Sequence, residues 1–447
     1  MANALAEATG LLGEALREIA EFDWSLYALG KVPDLSAGAR AHEQLLTVRR
    51  LLRESGHVPS DMPYAVCRHI VETDELVLGL RVHAGEVTRA MGRAIESEAS
   101  AVAAQDGTSR LADLLAPVVR ELIRRRNRCA QDIGASDYAE LTLGSLGLDA
   151  AQFEQWLGSV ADGLGRCAGD APVTGPTAET RWLLHHEQLD RRLQEAQALV
   201  TLDVGSIQEW ADLVGIDAAR LRRDLRTDAD IRGWCLPVDR PGDVRLVLTA
   251  KENPLSLKLV LHEMGHYLHY TVPPPERWQL TAPPPIFDET MASLFESAGS
   301  HAGVPDQLGL LLARPAAEDE PLLHAAKQRQ WALSALFELR AYRADGESFD
   351  MLWRQLLRAA GFAATFPHEW ALDRFYIDDP LYRFNYVIGF LWSIHELSRM
   401  ASHTPQGIAA RVRGLGEAAY HSHWRSVLGL EDRLPEIGSL EVISHAL

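Results

Sequence analysis

Leu255-Ser256-Leu257-Lys258-Leu259-Val260-Leu261-His262-Glu263-Met264-Gly265-His266-Tyr267-Leu268-His269-Tyr270 is the stretch whose reading decides the rest of the chain. Its apolar residues recur at helical spacing, and inside it His262-Glu263-Met264-Gly265-His266 reads H-E-x-x-H. On a helix, positions i and i+4 share a face. The two imidazoles can therefore hold one zinc ion, and Glu263 beside the first can take a proton from the attacking water. A surface helix with two solvated histidines would give the same five letters, so the surrounding sequence has to decide.

Upstream, Asp243-Val244-Arg245-Leu246-Val247-Leu248-Thr249 is short and β-branched and follows Pro241-Gly242. It predicts a strand of a small sheet entered through a turn. Asn253-Pro254 then opens the H-E-x-x-H helix. Downstream, the triple prolines 273–275 and 283–285 force an extended reversal. Asp288-Glu289-Thr290-Met291-Ala292-Ser293-Leu294-Phe295-Glu296 then starts a helix with acids in its first turn. A hydrolytic zinc site takes three protein ligands and leaves one position for water. Glu289 is the expected third ligand, and Glu296, two turns on, is the alternative. Gly265, with no side chain, would let another backbone approach closely. Leu261, Met264 and Leu268 read as core. His185-His186-Glu187 and His421-Ser422-His423 are weaker metal candidates; adjacent histidines on a helix point about 100° apart.

The chain has 447 residues, enough for two or three domain-sized units or one large helical body. Its 44 basic and 62 acidic residues give net charge −18, which disfavours nucleic acid or an anionic membrane as the main partner. The four cysteines (Cys67, Cys129, Cys167, Cys235) form no C-x-x-C pair and read as reduced thiols of a cytoplasmic protein. Glu7, Glu14, Glu18 and Glu21 argue against a signal peptide, and no apolar run is long enough to span a membrane. Helical periodicity dominates 1–130, with Leu45, Leu46, Val48, Leu51 and Leu52 in one run and Leu111, Leu114, Leu115, Val118, Val119, Leu122 and Ile123 in another. Asp149 is a predicted N-cap for a helix over 150–168. Helical pattern continues over 179–200, 206–225 and 318–413. The loop Pro172-Val173-Thr174-Gly175-Pro176 suggests an N-terminal helical lobe, 1–175, and a zinc-binding lobe, 176–447.

Three stretches resemble the glutamate-zincin peptidases, and within them the oligoendopeptidase/thimet oligopeptidase and angiotensin-converting-enzyme families. Leu122-Ile123-Arg124-Arg125-Arg126-Asn127-Arg128-Cys129-Ala130 with Gly134 and Tyr138 is similar to the R-N-x-x-A…G…Y helix of oligoendopeptidases. Asp243 to Tyr270 is similar to the strand and metal helix of converting enzymes, and Phe287-Asp288-Glu289 to the F-x-E start of their second ligand helix. The resemblance implies a mostly α fold, a large helical ellipsoid with a deep central channel and one small β-sheet next to the zinc-binding helix. It implies one zinc per chain on His262, His266 and Glu289, with Glu263 as general base. It also implies that Gly233-Trp234-Cys235 forms an edge strand pairing with a short peptide substrate.

The chain departs from these families late. Its Arg374-Phe375-Tyr376-Ile377-Asp378-Asp379-Pro380-Leu381-Tyr382-Arg383-Phe384-Asn385-Tyr386 resembles the H-F-Y-x-x-F-Y-V-Y-x-Y segment of oligoendopeptidases, but Tyr376 stands where they have His and Phe384 where they have a Tyr. Phenols donate to oxyanions, so Tyr376 with Tyr382 or Tyr386 is the expected replacement. Arg374 matches a converting-enzyme Lys that binds a substrate carboxylate. Three readings follow: a zinc peptidase acting on short unfolded peptides, a dedicated zinc hydrolase of one precursor or a non-peptide amide, and a non-catalytic zinc- or peptide-binding protein.

Overall fold

The computed structural model describes residues 2–29, 31, 33–55, 62–96, 101–167, 181–201, 211–212, 214–227, 233–249, 255–276, 278–298, 311–314, 320–344, 348–400, 404–431 and 433–435. Pro172–Pro176 and Asn253-Pro254 lie outside them. The fold is mostly α, and the chain clusters into two compact units, each drawn from three separated stretches. The first unit comprises 1–15, 34–190 and 329–384, and the second 16–33, 191–328 and 385–447.

Helices Leu35–Glu54, Tyr64–Glu72, Glu75–Glu96, Ala101–Asp132, Tyr138–Ser145 and Ala150–Cys167 build the first unit. The predicted periodicity buries Leu45, Val48, Leu51 and Leu52 on one helix and Leu115, Val118, Val119, Leu122 and Ile123 on another. Leu46 and Leu114, in the same runs, face solvent, because each apolar run is wider than the stripe its helix buries. Asp149 caps as expected, accepting from the N–H groups of Ala151 (3.1 Å) and Gln152 (2.8 Å).

The R-N-x-x-A…G…Y stretch is a structural lock in this unit. Arg126 is fully buried. It makes a two-pronged pair with Glu72 at 2.9 Å on each arm and donates to the carbonyl of Ile377 at 2.7 Å and to that of Tyr376. Asn127 donates to the Tyr342 carbonyl at 2.8 Å and accepts from the Tyr138 N–H at 2.9 Å. Gly134, at φ 99°, ends the helix in a conformation that favours glycine. Removing one partner of such a buried pair costs about 3–5 kcal/mol, because the other charge is stranded.

Among the described residues the second unit carries the expected small sheet beside the Leu257–Tyr270 helix and a second three-stranded sheet. Its strands in chain order are β1 (Leu199–Thr201), β2 (Leu225–Arg226), β3 (Gly233–Asp239), β4 (Asp243–Leu248), β5 (Leu255–Ser256) and β6 (Leu311–Arg314). The expected sheet has the order β2-β4-β3, with β3 antiparallel to β4 in the register Gly233↔Leu248 and Cys235↔Leu246. The other, β5-β1-β6, is antiparallel. Its strands are two to four residues long and far apart in sequence, too short to show a period. β5 runs straight into the Leu257–Tyr270 helix, whose Leu257 N–H donates to the Ala198 carbonyl at 2.9 Å, so the sheet fixes where that helix begins. The next helix spans Pro285–Ala298 and starts three residues before the predicted Asp288. Proline suits a first helical position, where its missing N–H would be unpaired in any case.

Glu338 is a buried carboxyl in the Glu320–Arg343 helix. Burial, only partly offset by the Leu381 N–H and the Arg126 charge, pushes it up to about 8. The native state thus keeps a proton that the unfolded chain loses near pH 4.3, so this group's contribution to stability declines as pH rises between those values. Glu338→Gln should therefore gain on the wild type from pH 5 to pH 8, by at most about 1.4 kcal/mol per pH unit. Thermal melts across that range check this, and parallel curves for the two proteins would refute it.

Candidate metal centre

The helix Leu257–Tyr270 presents His262 and His266 one turn apart, with ring centroids 4.9 Å apart and ring planes at 85°. Glu289, on the Pro285–Ala298 helix and only 2% exposed, faces both. Its Oε2 lies 3.3 Å from His262 Nε2 and its Oε1 3.5 Å from His266 Nε2. Ligand atoms of the three residues lie within 4.8 Å of one another, the one such group of three or more His, Cys, Asp or Glu among the described residues. Tetrahedral zinc with bonds of about 2.0–2.2 Å sets neighbouring ligands roughly 3.3–3.6 Å apart. The two N–O separations fall in that range, the N, N, O donor set suits that ion, and three donors would leave a fourth position for a small ligand.

Close helix packing produces this convergence. A Cβ on Gly265 would stand 2.6 Å from the Ala292 Cα and 2.9 Å from the Met291 carbonyl oxygen. A Cβ on Gly389, in the Arg383–Arg399 helix, would stand 2.8 Å from Ser293 Oγ and 2.9 Å from the Glu289 carbonyl oxygen. The Glu289 helix is therefore gripped from two sides at backbone contact. Leu261, Met264 and Leu268 are buried core. Asp288 accepts from Tyr270 Oη at 3.1 Å and pairs with His269 Nε2 at 2.8 Å and Arg240 at 3.4 Å. The Arg240 guanidinium lies over the Tyr270 ring at 4.0 Å.

Further groups surround His262. Its Nδ1 lies 2.9 Å from Glu296 Oε2, whose other oxygen is 3.4 Å from His324 Nε2. Lys258, one turn before His262, pairs with Glu320 at 2.9 Å. Nothing in the sequence marks out His324, Lys258 or Glu320. The i, i+4 spacings Lys258/His262 and Glu320/His324 were the available signal, but such pairs are common on solvated helices.

Burial opposes ionisation of Glu289, yet the charges and hydrogen bonds of His266 and His262 hold its carboxyl well below the usual range. Burial alone would lower His262, but Glu289 and Glu296 raise it well above the ordinary imidazole value. Metal binding there competes with a proton. Glu263 behaves oppositely: burial pushes it up, against the pull of His262 and His266. A carboxylate so raised is a better proton acceptor at neutral pH.

The structure also places the remaining candidates. Gly233 opens β3 at the edge of its sheet, and a Cβ there would meet Leu259 at 2.6 Å and Glu263 Oε1 at 3.2 Å. Cys235 is buried, while Trp234 stacks on Trp24 with centroids 6.2 Å apart. Tyr386 lies 6.2 Å from the His262 ring, centroid to centroid. Tyr376, Tyr382 and Arg374 belong to the first unit. The Tyr376 hydroxyl is buried and donates to the Ser334 carbonyl at 2.9 Å. Tyr382 packs on Phe375 at 5.9 Å, and exposed Arg374 pairs with Asp378 at 3.0 Å. His186 pairs with Asp190, and His423 caps the short Trp424–Leu428 helix.

No family model and no curated protein sequence matches the chain. Solved structures do. Trypanosoma cruzi metallocarboxypeptidase 1 superposes with a TM-score of 0.62 at 13% identity, over 100% of this chain and 99% of that one. PZ peptidase A, solved with an inhibitor, superposes with a TM-score of 0.61 at 11% identity, over 96% of this chain and 85% of that one. At such identities the likeness is one of fold.

Gly265→Ala would force a methyl against backbone that no side-chain rotation can move. We expect a loss of about 1–3 kcal/mol of stability together with weaker zinc retention. Thermal melting and metal content after dialysis measure the two effects, and an unchanged protein would refute the packing argument.

Proposed function

We propose that the chain is a zinc-dependent peptidase that hydrolyses short, unfolded peptides in the cytoplasm. The observation that carries this reading is the approach of His262 Nε2 and His266 Nε2 to the two oxygens of Glu289, with Glu263 on the same helix as the histidines. The fold shared with two solved peptidases supports it. His262, His266 and Glu289 would hold one zinc ion. Zinc bound there would polarise a carbonyl and lower the pKa of water.

The chain's own residues supply the remaining steps. Glu263 takes the proton of the attacking water and delivers it to the leaving amine. Gly233 starts β3, an edge strand among the described residues, and lies beside Glu263, so an extended peptide paired with β3 would pass the base. Trp234 and Cys235 follow on the same strand. Of the three expected tyrosines, we assign the oxyanion donor to Tyr386, which lies beside the His262 ring. The Tyr376 hydroxyl is committed to Ser334. That commitment favours a second reading, a zinc hydrolase dedicated to one precursor or to a non-peptide amide, whose oxyanion contacts differ from those of general oligopeptidases.

A digest of a mixed short-peptide library by the zinc-loaded protein tests the proposal. We expect cleavage of many peptides, reduced about 10²–10⁴-fold by Glu263→Gln with zinc content retained. Cleavage undiminished in Glu263→Gln would sink the mechanism. Silence from a zinc-loaded wild type would favour the dedicated hydrolase, and four protein ligands on the metal would favour a non-catalytic site.

A further inference from the structure

The two faces of β3 meet different surroundings. A Cβ on Gly233 would approach Leu259 and Glu263, so that position faces the Leu257–Tyr270 helix, and by the two-residue period of a strand so does buried Cys235. Trp234 points the other way. Its indole stacks on Trp24 with ring planes at 13°, and the Tyr27 ring meets it edge-on at 6.4 Å. Leu236 and Val238 share this face and pack on Ala20. Trp24 and Tyr27 lie in the π-helical turn Trp24–Ala28 that follows the Ala2–Asp23 helix. Arg245, on β4, lies over the Trp24 ring at 5.1 Å and is held by Glu21 and Asp243, each at 3.0 Å. The three rings are half-buried, beside a strand that is an edge among the described residues. The backbone limits what can pair there. Pro237 lacks an N–H, and proline sits in a sheet where that missing group would point off the edge. Successive residues of an antiparallel strand turn their N–H and C=O groups to opposite sides. Pro237 turned outward therefore puts Cys235 and Gly233 outward too, and turns Trp234 and Leu236 toward β4. An added strand can bond to Gly233 and Cys235, and Pro237 ends the run.

We propose that Trp234, backed by Trp24 and Tyr27, is a side-chain subsite that selects peptides carrying an aromatic or branched aliphatic residue at the one position abreast of it. The inference rests on the peptidase reading above and narrows it from short peptides in general to a substrate class. The residue abreast of Trp234 falls between the two bonding positions, and its side chain lies on the Trp24 face. Its neighbours point to the Glu263 side and are not read by the rings. An apolar side chain laid on the indole covers surface of both partners, and cross-strand pairs of aromatic with aromatic or β-branched residues are the favourable ones.

The test measures binding apart from cleavage. It uses the full chain carrying Glu263→Gln, and terminally blocked heptapeptides of Ala and Ser with one guest residue (Phe, Leu, Gly or Asp) placed at each position in turn. Calorimetry reads affinity and melting curves report fold. Phe and Leu should bind about tenfold tighter than Gly and Asp at one position of the peptide, with little difference at its neighbours. Adding Trp234→Ala should remove that preference and leave the Gly and Asp peptides bound as before, and Trp24→Ala should weaken it. Trp234→Phe, which spares the packing, should keep the fold and lose part of the preference, so the test stands even where Trp234→Ala does not fold. A preference absent from the starting protein, spread over every position, or undiminished in both Trp234 variants would overturn the proposal, as would the absence of any peptide binding. Cleavage by the zinc-loaded wild type without this preference would overturn the subsite alone. Selective binding with no cleavage by the zinc-loaded wild type would overturn the peptidase reading and leave the subsite standing.

Discussion

The backbone contact between the Leu257–Tyr270 and Pro285–Ala298 helices is the constraint on which the candidate site depends. Helix axes normally pack 8–10 Å apart because side chains intervene. Gly265 removes the side chain at the crossing, and Gly389 does the same on the other flank of the second helix. Glu289 is thereby set within 3.5 Å of both imidazoles without a long loop having to order it. The proline reversal between the helices supplies the turn, and the glycines supply the distance.

That proximity sorts two neighbouring carboxylates into opposite electrostatic states. Glu289 faces both imidazoles and stays ionised in spite of burial. Glu263, one residue from His262, is dominated by burial and shifts upward. A ligand needs the first property and a proton acceptor the second, and helix geometry separates them: the histidine rings face Glu289, while Glu263 turns toward Gly233 of β3. Asp288, adjacent to Glu289, is spent on structure through His269, Tyr270 and Arg240.

The first unit shows the same economy of buried charge around a different centre. Arg126 satisfies Glu72 and the carbonyls of Tyr376 and Ile377, so the stretch that resembles an oligoendopeptidase segment is pinned by its backbone. The pinning explains why Tyr376 is a poor candidate for chemistry in spite of its place in the alignment: its hydroxyl is buried on Ser334. Family resemblance assigned that position by register, and packing determined what the side chain touches.

His262, Glu263 and His266 were legible in the sequence because a helix makes i and i+4 neighbours whatever surrounds it, and the strand over 243–248 was legible because its composition and turn are local. The mostly α character followed from periodicity in the same way. The second sheet was hidden, since β1, β5 and β6 are too short to carry a pattern and pair across more than fifty residues. Nothing linear indicates that 329–384 clusters with 34–190. The choice between Glu289 and Glu296 was open for the same reason. Both sit on one helix face, and only the approach of a second helix and of His324 gives one the imidazole Nε2 atoms and the other the far side of His262. The sequence by itself determined which residues could bind a metal and move a proton, because those capacities belong to side chains at helical spacing. Tertiary structure alone decided the partner of each, because that depends on distances between segments that the chain does not join directly.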